Sequence, residues 1–401
     1  MIVAMPATSF PTSPRDVSGL FVLGMARALA SLGHEVEVLA PAPDHRDAWT
    51  DPAPGVRVRW IDYARPRALQ RTFHRAGAPD NLARDPLAWL GAASFPLALA
   101  AAMRDRRWDA IASHWGVPCG LVAGAMRGSA RHVAIFHSAD VHVLSRAPRA
   151  LARAIAERSD SLVFVSARLR DGFLALAPEA RPRSHVIAMG VDAPPSVARA
   201  RRERFTLLAL ARLVPVKGLD RAIRALPPDV ELVIGGDGPE RTRLEQLART
   251  CGARVCFLGT ITGDDKARWL ATADALIAPS IVLPSGRTEG APTALIEAMS
   301  AALPVVATDV GGVREIVTHE HDGLLVPPDD VGALRDAIAR LRDDATLRAR
   351  LSDHASHTAS SRTWPALAPR FEALLAQGSM RRADAGGRNT NVDSASRGFS
   401  T

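Results

Sequence analysis

Lysine is almost missing from this sequence. Of its 50 lysine and arginine residues only two are lysines, Lys217 and Lys266, and the other 48 are arginines. The skew reflects a compositional bias toward arginine and alanine, so the net charge of +8 is poor ground for a nucleic-acid partner. Tyrosine occurs once, and no run interleaves aromatic with basic residues as single-strand binders do. We therefore expect no nucleic acid. Cysteine is scarce as well. Cys119, Cys251 and Cys256 are odd in number and match no metal-ligand spacing, which reads as reduced, buried or partly buried thiols of a cytoplasmic protein. No Asp-x-Asp follows a strand-like run and the histidines lack ligand spacing, so no metal and no other cofactor is expected. The first residues have neither the basic start nor the long apolar run of a signal peptide. One stretch, 86–103, is uncharged for 18 residues. Alanine and glycine dominate it, prolines stand at Pro86 and Pro96, and charges crowd both ends, so it reads as a packed helix rather than a membrane span.

What is present is material for two cores. At 401 residues and 47% apolar content, the chain exceeds one ordinary domain. Short apolar runs alternate with helical stretches. Strands are predicted at 2–5, 35–40, 56–60, 110–113, 133–136, 161–165 and 185–188, then at 206–211, 230–234, 255–258, 275–278, 305–307 and 324–326. In the second series helices are predicted at 217–226, 239–250, 264–272, 292–302, 312–318 and 331–355. This order gives an α/β fold with two doubly wound, mainly parallel sheets. We divide the chain into a first domain over 1–192, a highly charged linker over 193–204 and a second domain over 205–360. A helix over 361–377 and a disordered tail over 378–401 follow. Ligands of such sheets sit beyond the carboxyl ends of the strands, here in the cleft between the domains.

The densest motif is Glu289-Gly-Ala-Pro-Thr-Ala-Leu-Ile-Glu297, two carboxylates eight positions apart. On one continuous helix they would point about 80° apart. Pro292 suits a first helical position, so Glu289 belongs in the preceding loop and Glu297 in the second turn. The N–H groups of Thr293, Ala294 and Leu295 would then form a positive mouth flanked by two acids. That combination suits a phosphate together with hydroxyls, as in a nucleotide sugar.

Other motifs lie at strand ends. Arg212 leaves one strand and Lys217 follows five residues later, a spacing that lets two cations close on a diphosphate from different sides. Two solvated surface cations are the plain alternative. Gly235-Gly-Asp-Gly-Pro239 is either a turn that lets a ligand approach the backbone or an ordinary tight connection. His137, in Ile-Phe-His-Ser-Ala-Asp140, and His114, in Ser-His-Trp-Gly, follow apolar runs where catalytic groups sit in such folds. A structural role is the competing reading for both and is favoured for His114. Gly19 either brings backbone near a substrate or merely starts a helix. The basic stretch from Arg65 to Arg75 reads first as a solvated loop, with contact to an acidic acceptor or anionic membrane as the alternative.

Taken in order, these pieces resemble the retaining, GT-B-fold glycosyltransferases of family 4, also called group 1, of the bacterial surface-polysaccharide type. The resemblance runs from Met1 to about Gln377. It is carried by Ala-Arg-Leu-Val-Pro-Val-Lys-Gly218, Gly-Asp-Gly-Pro239, Phe-Leu-Gly259, Ala-Asp-Ala-Leu-Ile-Ala-Pro-Ser280 and the Glu289…Glu297 motif. Leu-Pro-Val-Val-Ala-Thr308, Gly-Gly-Val-Arg-Glu-Ile-Val317 and Asp-Gly-Leu-Leu-Val-Pro327 continue it, and the segment from Ala26 to Leu39 looks like the family's first crossover. The resemblance implies that Arg212 and Lys217 bind the donor diphosphate and that Glu297 accepts hydrogen bonds from the ribose. Glu289 would hold sugar hydroxyls with backbone help near Gly290 and Ala291, and Thr293 and Ala294 would belong to the same donor site. Gly236 and Gly238 would line the nucleotide, and His137 would contact the sugar near the reacting carbon. Gly19 and His114 would face the acceptor, a saccharide or lipid-linked saccharide. The terminal helix would cross back onto the first domain. Retention without a metal is also implied.

The sequence departs from the family in two places. The loop 13–19 has one glycine where a Gly-Gly pair is common, and 281–288 lengthens the approach to Glu289. Competing readings are a catalytically silent sugar-nucleotide-binding scaffold subunit and a GT-B sugar-nucleotide epimerase. A phosphorylase would be longer and need a cofactor-bearing lysine, and Lys266 lies in no suitable motif.

Overall fold

The computed structural model describes residues 1–43, 45, 47–74, 77–192 and 202–376. Most of the predicted linker, Arg75 and the tail 378–401 lie outside the described residues.

Two all-parallel sheets form the frame. The first contains β1 (Ile2–Pro6), β2 (Glu35–Pro41), β3 (Val56–Ile61), β4 (Ala110–His114), β5 (Arg131–Phe136), β6 (Ser161–Phe164) and β7 (Ser184–Val186), in the order β3-β2-β1-β4-β5-β6-β7. The second contains β8 (Thr206–Leu210), β9 (Glu231–Gly235), β10 (Val255–Gly259), β11 (Ala275–Ala278), β12 (Val305–Thr308) and β13 (Leu324–Val326), in the order β10-β9-β8-β11-β12-β13. Nearly every residue of β1, β4, β5, β6, β8 and β12 is buried, because helices cover both faces of a parallel sheet and leave no solvent side. Strand order reverses between β1 and β4 and again between β8 and β11. Those switch points open crevices at the strands' carboxyl ends.

The first domain's helices are α1 (Leu20–Ser31), α2 (Ala78–Arg84), α3 (Ala88–Arg104), α4 (Leu121–Met126), α5 (Ser138–Leu144), α6 (Arg149–Glu157) and α7 (Ala167–Leu174). The second has α8 (Leu219–Ala225), α9 (Arg241–Thr250), α10 (Gly263–Thr272), α11 (Thr293–Ser300), α12 (Val331–Asp343) and α13 (Ala345–Ser360), and α14 (Trp364–Ala376) follows. α14 does not pack with the second domain's sheet. Trp364, Leu367, Phe371, Leu374 and Leu375 are buried in one core with Val3, Met5, Val22 and Val133 of the first domain.

Some boundaries differ from those predicted. The helix read over 217–226 begins at Leu219, because Pro215–Lys217 makes its own 3-10 turn and Gly218 takes a left-handed conformation between them. The run 331–355 is two helices broken at Asp344, whose extended backbone lets its carboxylate cap Leu347 N at 2.8 Å. The predicted helix 312–318 is a single 3-10 turn, Val313–Glu315. β7 is also shorter than the 185–188 expected.

Candidate active site

The two glutamates of the central motif sit where the sequence argument asks, one before α11 and one inside it. Pro292 caps α11, and Glu297 lies in its second turn. Leu295 N–H turns back to Pro292 O at 3.2 Å. Of the three N–H groups expected to be open, those of Thr293 and Ala294 therefore remain without a backbone acceptor outside the helix, among the described residues. The loop carrying Glu289 is held by Gly311-Gly312, a pair the sequence offers only within the family resemblance and without a role. A Cβ on Gly311 would lie 1.9 Å from Glu289 O, and one on Gly312 would lie 1.9 Å from Gly290 O. Only glycine allows the two backbones to approach this closely.

Each glutamate faces one of the chain's two lysines. Lys217 Nζ is 2.8 Å from Glu289 Oε1, and Lys266 Nζ is 3.1 Å from Glu297 Oε2. Lys217 ends the turn after β8, and Lys266 stands in the first turns of α10. Sequence reasoning named Lys217 and missed Lys266, although the rarity that marked one marks the other. Arg212 follows β8 and borders the first domain: a Cβ at Gly77, ahead of α2, would lie 3.5 Å from Arg212 Nη1. Gly236 and Gly238 follow β9. Gly236 has φ +150, and a Cβ there would stand 1.9 Å from Ala211 O, so this turn is pressed against the loop that carries Arg212.

The first domain contributes an imidazole pair. His114 ends β4 and His137 caps α5. Their rings stack 5.4 Å apart, with His114 Nδ1 3.2 Å from His137 Nε2. Phe21 and Trp115 each lie 4.8 Å from the His137 ring. Trp115 has φ +66, an unusual conformation for a bulky residue that costs about 1–3 kcal/mol. α5 opens with a capping box in which the His137 side chain takes the Asp140 N–H, while the Asp140 carboxylate takes the His137 N–H at 3.1 Å. Burial holds His137 neutral, with its pKa lowered to about 3, and drives His114 well below its ordinary value. His114 Nε2 has no hydrogen-bond partner among the described residues. Burial also pushes Asp140 up to about 7, although Gly116 N and Val141 N, both at 2.9 Å, join His137 N as donors to it. His114 was assigned to the acceptor side from the sequence; it is wholly buried, so any influence it has on a substrate runs through His137. Gly19 caps α1 and packs on Ser9 O.

The halves meet around Ala291, which packs against the cores of both domains. Arg287 reaches Asp80 of α2 at 3.1 Å, and Arg146 donates to Ser285 O at 2.6 Å. Glu315 accepts from Ala167 N at 2.6 Å and Arg168 N at 3.1 Å, at the start of α7. The 281–288 segment that lengthens the approach to Glu289 is therefore a bridge between domains.

Two facing parallel-sheet domains, with acids and cations gathered at their switch points, define a GT-B glycosyltransferase. Solved structures agree on the fold: sucrose-phosphate synthase from Thermosynechococcus elongatus aligns over 96% of this chain and 100% of its own, with TM-score 0.75 and 22% identity. Anabaena HepE, in complex with UDP-glucose, aligns over 94% and 99%, with TM-score 0.68 and 18% identity. The family profiles described as Glycosyltransferase Family 4 and Glycosyl transferases group 1 match residues 18–193 and 195–358. The chain belongs to the group 1 glycosyltransferases and is an enzyme that transfers sugars. Among its relatives is a GDP-mannose-dependent alpha-(1-6)-phosphatidylinositol monomannoside mannosyltransferase of Mycobacterium tuberculosis, 28% identical over 94% of this chain and 96% of the relative. A putative colanic acid biosynthesis glycosyltransferase of Escherichia coli is 29% identical over 82% and 88%.

Proposed function

We propose that the enzyme moves a sugar from a nucleoside-diphosphate sugar to an acceptor hydroxyl with retention of anomeric configuration, in surface-polysaccharide or lipid-linked glycan synthesis. The observation that carries this reading is the double pairing of Lys217 with Glu289 and Lys266 with Glu297 beside Arg212. A diphosphate brings negative charge that Arg212 and Lys217 can take, stabilising the leaving nucleotide. Glu289 is then released to accept hydroxyls of the transferred sugar, near the backbone of Gly290 and Ala291. Glu297 accepts from the ribose, with Thr293 and Ala294 at the helix mouth and Gly236 and Gly238 along the nucleotide. His137 lies on the sugar's reacting side, and Gly19 borders the acceptor. No metal takes part in this reading.

Relatives support it from two sides. The mycobacterial mannosyltransferase is named for a GDP-mannose donor and a phosphatidylinositol-based acceptor, and HepE binds UDP-glucose. No helix among the described residues is long and apolar enough to cross a membrane. We propose that the enzyme works in the cytoplasm and meets a lipid-borne acceptor peripherally, at an anionic membrane face.

Thermal melts with UDP, GDP, ADP and dTDP test the donor site. A nucleotide at about 100 times its Kd raises stability by about 2.7 kcal/mol. One nucleotide should stabilise the wild type and fail to stabilise Lys217→Ala and Glu297→Ala. Both variants should transfer sugar at least about 10-fold more slowly, since a lost charged contact costs about 1.5–3 kcal/mol. Wild-type turnover by either would refute its assignment.

A further inference from the structure

α3, expected as a packed helix, packs along one side and leaves the other open. From Ala88 to Met103 it has no charged residue, and it runs through Pro96. Its buried side is Ala88, Gly91, Phe95, Leu99, Ala102 and Met103. Its other side is open: Trp89 is 61% exposed, Leu90 54%, Leu97 75%, and Leu87 just ahead of the helix 44%. Leu90, Ala93, Leu97, Ala101 and Arg104, all exposed, fall on one face by their three- and four-residue steps. Four of the large exposed apolar side chains thus gather on one element, where a soluble surface ordinarily scatters them.

Charge says what covers this face. Arg84 precedes the apolar segment and Arg104 closes it, and neither has an acidic partner among the described residues. The neighbouring acids are occupied: Arg71 holds Asp85 at 3.3 Å, and Arg59 holds Asp105. An antiparallel pairing with a second copy would set Arg84 of one chain against Arg104 of the other. Anionic headgroups would complement both. Trp89 is prepared for an apolar medium, since its indole N–H already donates to Leu82 O at 3.1 Å while the ring stays exposed. A ring whose donor is satisfied can enter a bilayer interface without stranding a polar group. The basic loop singled out in the sequence serves less well, because Arg67 is paired with Asp62 and Arg71 with Asp85.

We propose that the outer face of α3 is the surface by which this enzyme docks on an anionic lipid bilayer, lying in the interface rather than crossing it. The proposal rests on the reading that the acceptor is lipid-borne. α3 packs on α2, and the residues opening α2 border Arg212 and hold Arg287. A lipid anchored under α3 would therefore present its head beside the donor site.

The test is sedimentation of the full chain with phosphatidylcholine vesicles, with and without phosphatidylglycerol, for the wild type and Leu90→Glu/Leu97→Glu. Both positions are exposed, so the double variant should keep its melting temperature and its stabilisation by nucleotide. We expect the wild type to bind anionic vesicles at least about tenfold more tightly than the variant does. Brominated lipid should quench wild-type tryptophan fluorescence, and Trp89→Phe should remove most of that quenching. Equal vesicle binding by wild type and variant overturns the proposal. So does self-association in solution that the substitutions abolish, which would assign the face to a second copy. Should nucleotides fail to stabilise the wild type while vesicle binding depends on Leu90 and Leu97, docking stands and the donor-site reading falls.

Discussion

Lys217 and Lys266 are held by carboxylates that a sugar nucleotide would also need, so donor binding has to exchange partners rather than fill free positions. Both pairs are partly open to solvent, and such pairs add only about 0–1 kcal/mol to stability. Lys266→Ala should therefore melt close to the wild type while losing at least about tenfold in transfer rate at low donor concentration. Parallel melting curves and initial rates separate the two effects; unchanged rates would make Lys266 a surface cation. Asp140 belongs to this scale too. Its folded pKa near 7 exceeds the ordinary carboxyl value of 3.8, so its contribution is complete below pH 4 and is lost as pH rises toward 7. His137, lowered to about 3, and His132, lowered to about 4, run oppositely: their contribution is present above pH 6.5 and lost in acid. Asp140→Asn should remove the falling limb and leave stability rising more steeply from pH 4 to 7, read from melts across that range. An unchanged slope would mean Asp140 is ionised throughout.

At the scale of elements, the strands were legible because burial on both faces leaves uninterrupted apolar runs such as Val-Ala-Ile-Phe136 and Val-Val-Ala307. Helix starts were less so. Pro215 and Gly218 together delay α8 by two residues, and Asp344 interrupts a run whose apolar periodicity continues across the break. In the candidate site, Glu289 and Glu297 are visible through the spacing of one short motif, and Arg212 and Lys217 through that of another. Lys266 is not, because its partner Glu297 is 31 positions away, and no local pattern records a contact made through space. The Gly311-Gly312 pair shows in the sequence only within the family resemblance, since a close backbone approach leaves no trace except the missing side chain. Gly312→Ala would set a methyl group against Gly290 O. It should displace the Glu289 loop and cut transfer more than about tenfold, with nucleotide affinity falling alongside. Wild-type kinetics in Gly312→Ala would show that the loop tolerates the shift.

Across the whole molecule, the domains touch through few polar contacts beside the cleft. Arg287 with Asp80 is the ion pair among them, and Arg287 belongs to the segment that lengthens the approach to Glu289. Arg287→Ala should widen the distribution of interdomain distances in small-angle scattering and raise KM more than it lowers kcat, with little change in melting temperature. Identical scattering and kinetics would reduce the bridge to a passive contact.

α14 sets the order in which the molecule can be completed. Trp364 fills the space above Gly24 of α1 and Gly190, 2.0 Å and 2.6 Å from where their Cβ atoms would be. The innermost layer of the first domain is thus supplied by some of the last residues described. A ribosome adding roughly 5–20 residues per second needs about 10–40 s to pass from Val191 to Ala376. Throughout that interval the nascent first domain has an uncovered apolar seam, and the second domain, whose core extends to Ala359 and needs nothing from α14, is complete just before Trp364 is added. Synthesis thus reverses the usual vectorial order: the half made first is finished last, and the ribosome-bound chain is most open to chaperones and proteases along the groove that α14 will seal.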